Sequence, residues 1–295
     1  MRYLQVFQLL SQLGVATVCQ HAQCPNICRC FLDGQVTFMI LGSTCTRQCR
    51  FCAVHKSEQD WLPWDEGEPL RVREAVRLLN LSYVVITSVT RDDLPEAGAI
   101  SFALTIEAVR SLNKEIKVEV LVPDFQGKAS SLRCVLDAGP SVLAHNLETV
   151  ERLYEDVRPQ ADYRLSLRLL RQAKEEYPGI LTKSSLMLGL GETREELIAA
   201  LQDLQKCGCD ILTLGQYLAP SKNHYPVQEF VSKDQFKEYE EIAYTCGFRS
   251  VMSGPLVRSS YRAQEAYNNS INPKPKYYKI QNKSQIPNPN VSFGF

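Results

Sequence analysis

Three cysteines, Cys45, Cys49 and Cys52, lie within the segment CTRQCRFC, and we call them the first triad. A disulfide would join two of them and leave the third thiol without a partner. Thiolates so closely spaced are typical ligands of zinc or of an iron–sulfur cluster. A structural zinc site takes four ligands, and only His55 follows closely enough to be a fourth. A [4Fe–4S] cube held by three cysteines keeps one iron open, so the spacing predicts a metal site, with zinc and iron–sulfur as alternatives.

A second group of thiols precedes the first. Cys19, Cys24 and Cys30, the second triad, again have no fourth ligand nearby, and Cys28 is an alternative to Cys30 that spacing cannot decide. Two incomplete sets so close in sequence predict two metal clusters near one active site. A single zinc site with unused thiols is the simpler alternative, but it does not explain why the thiols come in two triads.

The 295-residue chain is 44% hydrophobic and 22% charged, as expected of a globular protein with a sizeable core. Its 33 basic and 33 acidic residues give a formal net charge of +0, so we predict no nucleic-acid partner and no membrane-surface partner. Glutamines interrupt the apolar N-terminus, which argues against a signal peptide, and no apolar run is long enough to span a bilayer. Eleven cysteines in such a chain favour metal binding in the cytoplasm, or in an organelle stroma or matrix.

Short apolar runs alternate with helical patterns after residue 35. Continuous apolar runs are typical of parallel strands buried on both faces. The predicted strands are 36–41, 83–89, 116–123, 142–146, 183–190 and 210–217. Amphipathic helices lie between them, and Thr193 with Glu196 predicts a capping box at the start of one.

Six βα units in sequence predict a parallel sheet with right-handed crossovers, either doubly wound or barrel-like. We predict an α/β fold: a partial (β/α) barrel of about six units with an N-terminal cysteine-rich extension. The extension covers 1–35, the barrel and the segment after it cover 36–267, and 268–295 is predicted to be a flexible tail. In such folds the active site lies at the carboxyl ends of the strands, where the polar and cysteine-rich segments of this chain fall.

The pattern C-x3-C-x-φ-C after the first strand, with Phe51 as its aromatic residue, resembles the radical S-adenosylmethionine enzymes. With the second triad and the segments CPN, FMILG, TRDDLP, AHNLETV, LMLGLGET and GPLVRSSYRA, the chain resembles the lipoyl synthases over about residues 15–267. This resemblance implies that the first triad binds a catalytic [4Fe–4S] cluster, whose open iron chelates S-adenosylmethionine. The second triad is implied to bind an auxiliary [4Fe–4S] cluster, with a serine of the RSSY motif as fourth ligand: Ser260, or Ser259 as the alternative.

The resemblance also implies a reaction, because unactivated carbons need a cofactor for their chemistry. Radical cleavage of S-adenosylmethionine would allow sulfur insertion at C6 and C8 of a protein-bound octanoyl-lysine, with the auxiliary cluster as sulfur donor. The implied partners are an octanoylated lipoyl carrier domain, of a 2-oxoacid dehydrogenase E2 or the glycine cleavage H protein, a ferredoxin or flavodoxin, and an iron–sulfur carrier for cluster repair.

Polar residues after the later strands are predicted to contact S-adenosylmethionine. Charged side chains after the second strand are expected at its methionine end, amide and carboxylate groups after the fourth strand at the barrel mouth, and two glycines where the backbone approaches the adenosine. These residues are Arg91, Asp92, Asp93, Asn146, Glu148, Gly189 and Gly191. The alternatives are a solvated charged turn and glycines that only shape a turn.

Two other functions compete with this interpretation. A biotin synthase-like enzyme would also insert sulfur, but the second triad and the RSSY motif argue against it. A zinc-stabilised binding module would use the thiols without catalysis.

Overall fold

The N-terminal extension forms three helices and a short strand that lie against the rest of the fold. A computed structural model of the chain describes residues 3–57, 59 and 63–272. The elements of the extension are α1 (Tyr3–Gln12), β1 (Ala16–Thr17), α2 (Val18–His21) and α3 (Ile27–Leu32). β1 is followed at once by α2, whose N-cap Thr17 accepts a hydrogen bond from the Gln20 backbone, and this turn places Cys19 at the sheet edge.

The remaining strands and helices alternate along the chain. They are β2 (Thr37–Ile40), β3 (Thr44–Cys45), β4 (His55–Lys56), α4 (Glu68–Leu78), β5 (Tyr83–Ser88), α5 (Ala99–Arg110), β6 (Lys117–Leu121), α6 (Ala129–Asp137), β7 (Val142–Ala144), α7 (Tyr154–Val157), α8 (Tyr163–Glu176), β8 (Leu181–Leu188), α9 (Arg194–Lys206), β9 (Ile211–Gln216), α10 (Lys233–Cys246), β10 (Ser250–Gly254) and α11 (Ala263–Ile271). Short 3-10 turns occur at Pro95–Gly98, Phe125–Gly127 and Glu151–Leu153.

The main sheet has the order β1-β2-β5-β6-β7-β8-β9-β10. β1 pairs antiparallel with β2, and all other neighbours are parallel, as consecutive βα units require. The edge strands β1 and β10 do not pair with each other, so the barrel is partial. The predicted fold class is confirmed, and all six predicted strands are present as β2 and β5 to β9.

The parallel sheet contains one strand more than predicted, β10. Its sequence, SVMSG, mixes serine and glycine with only two strongly apolar residues, and three of its five positions are only half-buried. The predicted strands, in contrast, are buried at nearly every position because helices cover one face and the barrel interior covers the other.

A capping box begins α9 as predicted: Thr193 accepts from the Glu196 backbone, and the Glu196 carboxylate accepts from the Thr193 N–H.

Inside the sheet, Lys183 donates a 2.7 Å hydrogen bond to Glu119, and Tyr83 donates another to the same carboxylate. Lys183 and Glu119 are both about 1% exposed. Buried charges persist when they are paired and hydrogen-bonded, and this pair lies in the core away from the cavity described below.

The chain end differs from a simple tail. Residues 268–271 of the predicted tail belong to α11, and 273–295 lie outside the described residues. Within the described part of the chain, no helix combines the length and apolarity needed to cross a membrane.

Candidate active site

A cavity of about 520 Å³ opens at the carboxyl ends of the parallel strands. Residues in the carboxyl-terminal part of β8, and residues at or just after the ends of β5, β6, β7 and β9, line it, as expected for a (β/α) barrel. The extension and the segment before α11 complete its wall, and both triads reach it.

The first triad lies on one side of this cavity. Cys45 ends β3, and Cys49 and Cys52 follow in the loop to β4; all three line the cavity. Lys56 donates a 2.6 Å hydrogen bond to the Cys49 carbonyl and so helps to fix the loop. Burial, reinforced by the neighbouring Cys49 and Cys45, raises the pKa of Cys52 to about 12. Proximity of the three thiols is therefore built into the loop, and a metal would have to displace their protons.

Arg47, inside the first triad, anchors the loop to two neighbouring strands. Its guanidinium donates to both oxygens of Asp124, at 2.5 and 2.6 Å, and to Asp92 at 2.8 Å. Burial opposes the charge of Asp124, but the hydrogen bonds and charge of Arg47 outweigh it and lower the pKa of that carboxyl. Because Asp124 follows β6 and Asp92 follows β5, this network ties the cysteine loop to the strand ends.

The second triad lies at the junction of the extension and the barrel. Cys19 and Cys24 line the cavity, whereas Cys30 lines an adjacent cavity of about 280 Å³ together with them. The three residues line this one cavity, and burial together with the nearby Cys19 and Cys24 raises the pKa of Cys30 to about 11. Cys28 is exposed and lines neither cavity. The arrangement favours Cys30 over Cys28.

Ser260 approaches the second triad from the RSSY segment. Its Oγ accepts a 2.8 Å hydrogen bond from Thr37, the first residue of β2, and Thr37 also lies within hydrogen-bonding reach of Cys19. Ser260 lines both cavities, but Ser259 lines only the larger one. The placement favours Ser260 over Ser259 as a partner of the second triad.

Asn146 and Glu148 lie in the cavity wall as expected. The Asn146 side-chain amide donates a 2.9 Å hydrogen bond to Glu148. The side-chain oxygen of Asn146, Oδ1, is buried and has no hydrogen-bond partner among the described residues. Burial raises the pKa of Glu148, while Arg158 and Asn146 oppose that effect. A buried polar pair with spare hydrogen-bonding capacity is suited to bind a polar ligand.

Arg91 and Asp93, predicted ligand contacts after β5, are paired with each other instead. Arg91 donates two 2.8 Å hydrogen bonds to Asp93 and one at 3.3 Å to the Leu41 carbonyl, and its side chain is 4% exposed. Asp92 is held by Arg47. None of the three lines the cavity, although the preceding Thr90 does, so their contact with S-adenosylmethionine stays a prediction.

Gly189 and Gly191 also lie outside the cavity wall. A Cβ on Gly189 would lie 2.2 Å from the Glu229 carbonyl oxygen, so glycine is needed there for the close passage of the loop after β9. Gly191 has a φ of +107° in the turn into α9. Both glycines shape the backbone, and their approach to the adenosine stays a prediction.

Arg158 is a cavity residue that sequence reasoning missed. It is buried against Cys49 and donates to the carbonyls of Asn146 and Leu147 at 3.1 and 3.0 Å, while its Nε has no hydrogen-bond partner among the described residues. No motif marks it, because it follows α7, a four-residue helix with no apolar periodicity. Arg158 and Asn146 both line the cavity, and each carries a buried polar atom that has no hydrogen-bond partner among the described residues.

His145, which alternates with Asn146, is fully enclosed. Its Nδ1 donates to the Val122 carbonyl at 2.9 Å, because that oxygen cannot donate, and Nε2 therefore accepts from Ser166 at 3.0 Å. Burial, with the Arg158 charge, lowers the pKa of His145 to about 4. The histidine is neutral and supports the wall.

Comparison with known proteins places this site in a family. The model of the Radical SAM superfamily matches residues 39–204. The chain is 54% identical over 261 residues to the lipoyl synthase of Caldicellulosiruptor saccharolyticus, covering 88% of this chain and 91% of that protein. It is 52% identical over 267 residues to that of Thermus thermophilus, covering 90% and 82%. The chain belongs to the lipoyl synthase family of radical SAM enzymes. This membership confirms the predicted family and function and excludes the biotin synthase-like and zinc-module alternatives.

Solved structures agree on the fold of this lipoyl synthase family member. Streptococcus suis SuiB bound to S-adenosylmethionine aligns with a TM-score of 0.55 and 11% identity, over 74% of this chain and 50% of that one. Methylornithine synthase aligns with a TM-score of 0.50 and 17% identity, over 77% and 68%. At such identities the likeness concerns the fold alone.

The donor groups of the site fit the cofactors of the family, two [4Fe–4S] clusters and S-adenosylmethionine. Each triad supplies thiols, the preferred ligands of iron–sulfur clusters, and the cavity also holds unpartnered buried polar atoms. Among residues 3–57, 59 and 63–272, no three His, Cys, Asp or Glu side chains converge on a single metal ion. A cube with four irons takes its ligands at separate corners.

Proposed function

We propose that the first triad holds the catalytic [4Fe–4S] cluster, and that the second triad with Ser260 holds the auxiliary one. In this proposal the chain inserts two sulfur atoms, at C6 and C8, into an octanoyl chain on a carrier lysine. The observation that carries it is that Ser260 and members of both triads line one cavity. Hydrogen abstraction and sulfur donation can then occur on one acyl chain without its release.

When bound, the clusters and S-adenosylmethionine supply the radical chemistry and the sulfur. The residues of the chain bind and orient the reactants. Arg158, a buried cation in the cavity wall, is suited to the carboxylate of S-adenosylmethionine, and the Glu148 and Asn146 side chains are suited to its ammonium group. Arg47 holds the loop of the first triad in register with the strand ends.

The acyl chain needs a different surface, because its carbons have no group to hydrogen-bond. Apolar side chains in the cavity wall are suited to hold it away from water. They are Val18, Met39, Leu121, Val122, Leu186 and Met187.

Ser260 has a role that cysteine would not fill equally well. A hydroxyl oxygen is a harder donor than a thiolate and binds an iron–sulfur cluster less tightly. The Thr37 hydroxyl already donates to Ser260 Oγ and so offers it a partner when it is not bound to iron. We infer that Ser260 is the ligand that dissociates when sulfide leaves.

The partners proposed for this reaction follow from its needs. The acyl chain arrives on a lipoyl carrier domain of a 2-oxoacid dehydrogenase E2 or of the glycine cleavage H protein, electrons come from a ferredoxin or flavodoxin, and an iron–sulfur carrier restores the auxiliary cluster. We place the reaction in the cytoplasm, where the eleven free cysteines stay reduced.

Anaerobic reconstitution tests the proposal. The chain should bind about eight irons, two cubes' worth, and should convert an octanoyl-lysine peptide to the lipoyl peptide, followed by mass spectrometry. Replacing all three cysteines of either triad with alanine should leave about four irons and abolish the product. Uptake of a single cube together with full product formation would refute the proposal.

A further inference from the structure

The second triad lies in the wall between two cavities. Cys19, Cys24 and Ser260 line both the active-site cavity and the adjacent cavity of about 280 Å³, which we call the rear cavity. Cys30 lines only the rear cavity, whereas the first triad lines only the active-site cavity. The rear cavity therefore reaches the auxiliary site without passing the catalytic one.

The two cavities open at opposite ends of the strands. The active-site cavity opens beside Leu218 and Ala219, two exposed residues that follow the carboxyl end of β9. The rear cavity opens beside Ser82, which precedes the amino end of β5, and beside Gln264 in α11. Both of these residues are also exposed. An acyl chain that enters at the carboxyl end would leave the rear opening clear.

The rear cavity suits small ions better than an acyl chain. Its exposed lining residues are small or polar: Asp33, Gly34, Asn80, Ser82 and Gln264. The half-buried Arg258 lines this cavity as well as the active-site cavity, and its guanidinium donates to the Gln216 and Val257 carbonyls at 3.1 and 2.7 Å. A carboxylate at the mouth and a guanidinium inside offer partners to a metal cation and to a sulfur anion.

We propose that the rear cavity is the route by which iron and sulfide reach the second triad to rebuild its cluster. This inference rests on the proposed function, in which the auxiliary cluster gives up sulfide and must be restored before the next round. A separate route allows restoration while the acyl chain and its carrier still occupy the carboxyl end.

The test follows assembly of the auxiliary cluster alone. The full chain carries Cys45→Ala, Cys49→Ala and Cys52→Ala, so that only the second triad takes up iron. Visible absorbance is recorded after anaerobic addition of sulfide with equal amounts of ferrous and ferric iron, the oxidation states that a [4Fe–4S]²⁺ cube contains. Gln264→Trp, which narrows the rear opening, should slow assembly at least about fivefold, because uptake must then wait for local opening of the fold. Asn268→Trp, one turn further along α11, lines neither cavity and should leave the rate unchanged.

Two further variants keep the result interpretable. Ser82→Trp narrows the same opening at the neighbouring position, where the Ser82 hydroxyl accepts a 3.5 Å hydrogen bond from Gln264, and it replaces Gln264→Trp if that variant misfolds. Ala219→Trp narrows the active-site opening and should not slow assembly. Unchanged rates in folded Ser82→Trp and Gln264→Trp, or slowing by Ala219→Trp instead, would overturn the proposed route.

Failure of the proposed function would look different. If the second triad holds no cluster, the triple-alanine chain takes up no iron whether or not the rear opening is narrowed. If the route is wrong but the function is right, the same chain still takes up about four irons, and Gln264→Trp does not change the rate of uptake.

Discussion

The Arg47 guanidinium meets both carboxylate oxygens of Asp124, at 2.5 and 2.6 Å, in a buried bidentate pair. The pair joins the loop of the first triad to the end of β6, and Asp92 extends it to the end of β5. Three segments distant in sequence thus share one network, so a change at Arg47 should affect the cysteine loop and the barrel together.

Replacing Arg47 with alanine should destabilise the protein by about 3–5 kcal/mol, because the buried Asp124 and the half-buried Asp92 lose their partner. The cluster of the first triad should also lose its native electron paramagnetic resonance signature, since the loop is no longer fixed. Arg164→Ala removes an exposed pair with Glu151 and should change neither the thermal midpoint nor the spectrum. A native spectrum in Arg47→Ala would show that the network is purely structural.

Replacing Ser260 with cysteine should preserve the iron content of the auxiliary cluster and slow sulfur transfer, because thiolate holds iron more firmly than a hydroxyl group does. Single-turnover product formation and iron analysis measure the two effects. Ser259→Cys is the matched control and should retain transfer near the wild-type rate. Unimpaired transfer in Ser260→Cys would contradict dissociation of this ligand.

Alanine variants of Cys30 and Cys28 should differ in the amount of iron that the chain binds. Cys30→Ala should lower the iron bound from about eight to about four per chain, whereas Cys28→Ala should keep about eight, because Cys28 is exposed and lines neither cavity. The reverse outcome would exchange their roles.

Arg158→Gln should weaken binding of S-adenosylmethionine by roughly tenfold or more, the effect expected when a charged hydrogen-bond donor is lost from a buried site. Equilibrium dialysis with labelled S-adenosylmethionine measures it. Asp93→Asn, in the scaffold pair with Arg91, should lower the thermal midpoint but leave this affinity unchanged. Weaker binding in Asp93→Asn and not in Arg158→Gln would restore the residues after β5 as the ligand contact.

His145 should make stability fall as the solution is acidified. Its pKa is lowered to about 4 in the folded chain, against about 6.5 when unfolded, so the unfolded chain takes up the proton first as pH falls. The stability associated with neutral His145 is retained above pH 6.5. Proton uptake by the unfolded chain should lower the free energy of unfolding by about 1.4 kcal/mol by pH 5.5. The fall in thermal midpoint from pH 7.5 to 5.5 should therefore be smaller in His145→Gln. Equal falls would show that this histidine does not titrate on unfolding.

The sequence predicted the sheet well because six of its strands are buried on both faces and appear as continuous apolar runs. It missed β10 since SVMSG lacks such a run and lies partly exposed at an edge. It indicated the thiols because their spacing within single loops is a local property. It could not show that Arg91 and Asp93 pair with each other, since the same charged turn fits a ligand contact or an internal pair. Arg158 was missed because its position depends on α7 and on packing against Tyr154.

The two-residue strand β1 does more than introduce Cys19. It occupies the hydrogen-bonding groups of β2, which would otherwise be exposed along one side of the parallel sheet. An uncovered strand of this kind is a template for pairing with another chain. Detachment of the extension would therefore expose β2 as an unpaired edge strand, and the chain should then self-associate.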